Sequence, residues 1–286
     1  MTTRWRLQVP VLLLVCTAPT GAEAQVDPQL AAVYFEEARS TCERDAGRLW
    51  GVSLCGPLVI FDPRTGTRAT SQPEPAGPAP RFNFFADGPV SWGGQRWFAL
   101  PLFLLPLDDA EVRQQIMLHG MFHRVQPELG LMTDDGFNEH LDSLEGRVWL
   151  RLEWRALRRA IESGGSNRSE AIADALAFRL ERRRLFPGAA ENERREEIRE
   201  GLASYTGVAA WASSPADARR AAASGLAGAD SQQALVGNFE GASGPAYGVL
   251  LDDLLLQGDG WSVTVNAGWV VMPAARPGSF AIVPEN

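Results

Sequence analysis

Apolar residues recur three and four positions apart through most of the second half of the chain, the period of a helix with one buried face. The clearest stripe is Leu118, Phe122, Val125 and Leu129, at spacings of four, three and four. It predicts a helix that Asp108 or Asp109 caps and that runs to about Gln126, where Pro127 stops it. Similar patterns predict helices near residues 146–161, 169–186, 191–212, 215–226 and 245–256. An earlier one spans 28–49, with Leu30, Val33, Tyr34, Ala38 and Cys42 on one side. Between these helices the pattern changes. Leu58-Val59-Ile60-Phe61 is a short apolar run closed by Asp62-Pro63-Arg64-Thr65-Gly66, which reads as a strand and a turn. Four prolines between 71 and 80 mark a loop, and a β-rich stretch then runs from Arg81 to Arg96-Trp97-Phe98-Ala99-Leu100. Residues 261–283 alternate as strand and turn. The whole predicts an α+β, mainly α, fold in one domain over 25–286, with a β-containing part to 106, a helical bulk over 107–258 and a β tail from 259.

Composition removes several chemistries. All 27 basic residues are Arg and no Lys occurs, which excludes Schiff-base and pyridoxal-phosphate lysines and the phosphate-loop lysine. A net charge of −8 argues against nucleic acid as the main partner. Thirteen Arg and nine acids fall between Arg147 and Arg199. Glu181, Glu191 and Glu193 alternate with Arg at helical spacing there, so the run is expected to be a solvated, ion-paired helix face rather than a polyanion site.

The first 24 residues resemble a secretory signal, with Arg4 and Arg6 ahead of a short apolar run and Ala22-Glu23-Ala24 offering a cleavage site. The expectation is an exported protein, periplasmic or secreted. No stretch approaches the ~20 apolar residues of a transmembrane helix. Lipid attachment at Cys16 fits poorly because Val15 precedes it. Cys42 and Cys55 remain, thirteen residues apart, and in an oxidising compartment they are expected to pair, two buried thiols being the alternative.

Three His occur, and two of them, His119 and His123, sit four apart within one predicted helix. At that spacing both imidazoles leave the same face, where they can grip one Zn²⁺. A later predicted helix carries Glu200 beside Gly201, with Ile198, Leu202, Tyr205 and Ala209 as its buried stripe. A mid-helix glycine costs ~1 kcal/mol against Ala, so Gly201 is expected to serve close approach to another element. Two His from one helix and a Glu from another make a His₂Glu zinc set with a fourth position open.

His119-Gly120-Met121-Phe122-His123 and Glu200-Gly201-Leu202-Ala203-Ser204-Tyr205 together resemble the gluzincin metallopeptidases, the thermolysin and aminopeptidase N type. The resemblance implies a zincin-like fold, Zn²⁺ held by His119, His123 and Glu200, and a peptide or protein ligand. It also implies a Glu after the first His, the general base that takes a proton from the attacking water and passes it to the leaving amine. Here that position is Gly120, which does neither. Substitute bases are sought in Glu139, Asp142 and Glu153, the last of which reads first as a partner for a neighbouring Arg. His140 is a possible further ligand, though a surface or capping role suits it better, and Tyr247 is a candidate oxyanion donor that equally suits core packing. No dinucleotide or phosphate loop appears, and Gly241-Ala242-Ser243-Gly244-Pro245 misses the serine-nucleophile elbow at its last position. The leading expectation is an exported zinc-binding peptidase homologue with lost or reduced activity. The alternatives are an active zinc hydrolase with a substitute base and a metal-free structural or interaction protein. The distance between the tips of His119, His123 and Glu200 separates the last from the others.

Overall fold

In the computed structural model, which describes residues 26–82, 88–232, 235, 239–256, 271–273 and 280–282, the first helix is α1 (Pro28–Asp45). The expected signal sequence and most of the expected β tail lie outside these residues. The Asp27 carboxylate caps α1 by accepting from Gln29 N–H at 2.8 Å, and the helix ends where Ala46 turns left-handed at φ 49°. Cys42, in its last turns, is bonded to Cys55 with Cα atoms 5.3 Å apart, so the expected pairing is present.

Four strands follow: β1 (Leu58–Phe61), β2 (Arg68–Thr70), β3 (Gly88–Trp92) and β4 (Gln95–Pro101). They form a mixed sheet in the order β2-β1-β4-β3, with β1 and β4 parallel and the other pairs antiparallel. Alternation divides the sheet's two faces. Val59, Phe61, Trp97 and Ala99 join Trp92 in one apolar cluster, while Leu58, Ile60, Phe98 and Leu100 face α1 and the next helix. That helix, α2 (Ala110–Val125), starts at Asp109, whose carboxylate accepts from Val112 N–H at 3.0 Å. Leu118, Phe122 and Val125 are buried as the stripe predicts.

The helical bulk comprises α3 (Leu144–Glu162), α4 (Gly165–Leu185), α5 (Ala189–Glu196), α6 (Leu202–Trp211), α7 (Pro215–Asp230) and α8 (Phe239–Leu256). Trp154 and Leu157 of α3, Ile172 of α4, Leu226 of α7 and Phe239 and Leu250 of α8 share a second core. Two further strands, β5 (Val271–Pro273) and β6 (Phe280–Ile282), pair antiparallel within the expected tail. The chain is thus mainly helical with a small mixed sheet, in line with the α+β expectation. No helix among the described residues is long and apolar enough to cross a membrane.

Two departures from the sequence pattern matter. The helix expected over 191–212 is broken by a π turn, Glu197–Gly201, between α5 and α6. The last helix begins at Phe239 rather than near Pro245, so Pro245 and Tyr247 lie inside it. At their crossing a Cβ on Gly244 of α8 would come within 2.2 Å of the Gly201 carbonyl oxygen, whereas a Cβ on Gly201 would meet nothing nearer than 3.6 Å, so the close approach expected at Gly201 instead demands the glycine at 244.

The arginine-rich run is only partly the solvated face it was expected to be. Arg184–Glu181 and Arg194–Glu191 are surface pairs, but Glu153, Arg179, Arg182, Glu193 and Glu197 are buried. Arg179 bridges Glu153 and Glu197, and Arg182 bridges Glu153 and Glu193. Alternating charge at helical spacing cannot distinguish a wet face from a face closed by facing helices. Burial alone pushes the carboxyls of Glu153 and Glu193 up, but the Arg182 guanidinium, joined by Arg179 at Glu153 and by a bond from His140 at Glu193, outweighs it. Both stay below the ordinary carboxylate range, Glu193 well below.

Carboxyls held low in the folded state contribute stability above their unfolded pKa of about 4.3, and lose it as pH falls toward their folded values. Urea unfolding is therefore expected to show a stability plateau above about pH 5 and a decline below about pH 4. Glu153→Ala leaves two buried guanidiniums short of a partner and is expected to cost ~3–5 kcal/mol at neutral pH in the same measurement.

Candidate metal centre

The α2 helix places His119 and His123 one turn apart, both facing the π turn that carries Glu200. The His119 and His123 Nε2 atoms are 3.0 Å apart, and each lies 3.2 Å from Glu200 Oε2. Side chains from two segments 77 residues apart therefore meet at their tips, as the zinc set requires. The circle through these three atoms has a radius of about 1.8 Å, just under the ~2.0–2.2 Å length of zinc bonds to nitrogen and oxygen. One ion can reach all three, and the cluster could hold a metal ion.

The surrounding bonds prepare the donors. Gln126, the residue that ends α2, donates its amide N–H to the carbonyls of Ile198 and Arg199 at 3.0 and 3.2 Å. Its Oε1 is left facing His123 Nδ1 at 2.9 Å, and an oxygen there can only accept. His123 Nδ1 must carry the hydrogen, which leaves the lone pair of Nε2 turned toward Glu200 and His119. His119 Nδ1 is held by the Ser204 hydroxyl at 3.2 Å. Burial pushes the Glu200 carboxyl up, but the imidazoles of His119 and His123, when they carry a proton on Nε2 as well, outweigh it and hold the group well below its usual range. Its other oxygen, Oε1, accepts from Arg199 at 2.8 Å. The π turn has a physical role here. An i→i+5 segment adds a residue to the helix and re-aims the side chains it carries, a device common at functional sites.

The cluster opens on a cleft of about 650 Å³. Phe98, Leu100, Leu104, Ile116 and Met132 give it apolar walls, and β3 lines it through Gly88, Pro89 and Ser91. Among the described lining residues the one carboxylate is that of Glu200.

Gly120 is in the α2 turn between the two ligands and is buried against β4. A Cβ there would fall 2.1 Å from Cε1 of Phe98, whose ring in turn stacks on His123 at 6.1 Å between centroids. The glycine is thus where the Phe98 ring finds room. Its cost to the helix is offset by the ring it admits.

The other candidates lie elsewhere. Glu153 is the arginine partner its sequence context suggested. Glu139 and Asp142 sit on a 3-10 turn, Glu139–Asp142, where Asp142 pairs with Arg147, and neither lines the cleft. His140 is neither a ligand nor a surface residue; it is largely buried and bonds Glu193 through Nε2 at 2.8 Å. The Tyr247 hydroxyl donates to Glu153 at 2.8 Å and faces a separate small cavity beside Arg179 and Gly244, not the metal cluster. Ser204, Gln126 and Phe98 went unrecognised in the sequence as site residues. Gln126 carried a signal, lying three residues after His123 on the same helix, whereas Phe98 carried none. No protein-family model, curated protein or solved structure matches this chain.

Gly120→Glu is expected to cost ~1–3 kcal/mol in urea unfolding, since the new side chain enters the space of a buried ring. On a Phe98→Ala background the same substitution is expected to cost less, the difference being the coupling of the two sites.

Proposed function

We propose that this chain is an exported, gluzincin-like zinc-binding protein of zincin-like fold that binds peptide and has lost most or all peptidase activity. The observation that carries the reading is the meeting of His119 Nε2, His123 Nε2 and Glu200 Oε2 within 3.0–3.2 Å, beside a cleft and next to a glycine where the base belongs. Imidazole and carboxylate donors with one position left open suit zinc. Bound zinc supplies Lewis-acid polarisation of a ligand carbonyl.

The remaining roles belong to the chain. His119, His123 and Glu200 hold the ion, and Ser204 and Gln126 fix the rings that point at it. Gly120 offers no group to move a proton between water and a leaving amine, a loss that typically costs roughly 10²–10⁴ in rate. The absence of another described carboxylate from the cleft lining supports retention of binding over hydrolysis. β3, at the sheet edge among the described strands, borders the cleft and suits an extended peptide laid beside it. The Cys42–Cys55 bond supports passage through an oxidising compartment.

Purified protein titrated with Zn²⁺ in a calorimeter is expected to bind one ion per chain at neutral pH. His119→Ala and Glu200→Ala are expected to abolish binding, and Gln126→Ala to weaken it ~10–100-fold through the freed His123 ring. Failure of the unmodified protein to take up stoichiometric zinc overturns the reading.

A further inference from the structure

The cleft runs against the charge of the protein around it. The chain carries a net charge of −8, yet the described side chains lining the cleft contribute two guanidiniums, Arg96 and Arg199, and one carboxylate, Glu200. A divalent ion on the cluster makes the imbalance larger. Arg199 is already engaged, bonding Glu200 at 2.8 Å and Glu196 at 2.6 Å. Arg96 is not. It is exposed, and among the described residues its recorded bond is one long contact, 3.3 Å, to the carbonyl of Arg124 at the end of α2. Most described arginines face a described carboxylate; Arg44, Arg81, Arg96 and Arg124 do not, and of these four only Arg96 lines the cleft.

Its position is set by the sheet. On β4, Arg96, Phe98 and Leu100 share one face by strand alternation, and all three line the cleft. Arg96 pairs across to Ser91 and Phe98 to Pro89, so these β3 residues border the same trough. Arg96 therefore stands two residues, roughly 7 Å, along the strand from the ring that stacks on His123. A peptide lying in the cleft with one carbonyl at the metal cluster would present a group about two residues away to this guanidinium. A guanidinium is a bidentate carboxylate receptor, and the cationic cleft favours an anion over a neutral side chain.

We propose that Arg96 is the carboxylate-recognising residue of this cleft, and that the peptides it prefers carry a carboxylate, from an acidic side chain or from a free C-terminus. The inference rests on the peptide-binding reading above and adds the class of peptide. The Arg124 contact alone would make Arg96 a helix-end residue, a role whose loss would weaken all ligands alike.

Fluorescence anisotropy tests it with three labelled alanine-based hexapeptides carrying one Phe. The first has an internal Glu and blocked ends; the second replaces that Glu by Gln; the third is the Gln peptide with a free C-terminal carboxylate. One or both carboxylate peptides are expected to bind at least ~10-fold tighter than the blocked Gln peptide, and which of them does so names the source of the carboxylate. Arg96→Gln is expected to erase the preference and Arg96→Lys to keep part of it, each weakening the carboxylate peptides by a larger factor than the blocked Gln peptide. Equal affinities for all three peptides, a preference that survives Arg96→Gln, or no binding of any at ~1 mM overturns the proposal. Titrations with Zn²⁺ and with chelator separate it from the metal reading. An Arg96-dependent preference in a protein that takes up no zinc supports this proposal while the metal reading fails; zinc uptake without the preference overturns this proposal alone.

Discussion

The side-chain amide of Gln126 joins the two halves of the metal cluster. Its N–H groups bond the Ile198 and Arg199 carbonyls, and its oxygen bonds His123 Nδ1. A π turn changes which backbone carbonyls are satisfied within the helix, and an amide from a neighbouring helix is well suited to cover two of them. Because that amide ends α2, satisfying the turn also fixes how α2 lies against it. The tautomer of His123 and the direction of its free lone pair follow from this one residue, which also helps to set the position of Glu200 relative to the histidines. The amide acts at once as strut and as the group that orders the donors.

A second constraint sets what the site lacks. The resemblance to gluzincins would place a carboxylate one residue after the first histidine, and in this chain that position is Gly120, where α2 rests on the Phe98 ring. The Phe98 ring fills the space that a Cβ at position 120 would take. The glycine at this position and the closure of the packing are therefore linked. A Glu placed here would have to displace that ring. The same ring stacks on His123 and walls the cleft.

Behind the π turn lies the buried network of Glu153, Arg179, Arg182, Glu193 and Glu197. Buried ion pairs often contribute little net stability, since desolvation offsets their attraction. Their geometry is nevertheless demanding, and Glu197, the first residue of the π turn, is bound by Arg179 and Arg183 of α4. Arg199 and Glu196 hold the turn from the other side, with Glu196 accepting the Gly136 N–H at 2.6 Å. The turn that aims Glu200 is thus pinned on both flanks by charged hydrogen bonds.

The local part of this arrangement was legible in the amino-acid order. Asp109 as cap, Pro127 as stop, the buried stripe of α2 and the shared face of His119 and His123 all depend on neighbours three or four positions apart, and helical periodicity reports such contacts directly. Glu200 could be matched to them because a particular combination of residue types carries chemistry whatever the path between them. The remainder depended on contacts that no period records. Gln126 reaches a carbonyl 72 residues away, and Phe98 meets Gly120 from a strand whose facing partner the sequence does not specify. The charge run could equally be wet or buried until α3, α4 and α5 closed around it. Spacing along the chain determined which side chains share a face; only the packing of elements decided what each face meets, because that choice is made by shape and desolvation between segments remote from one another.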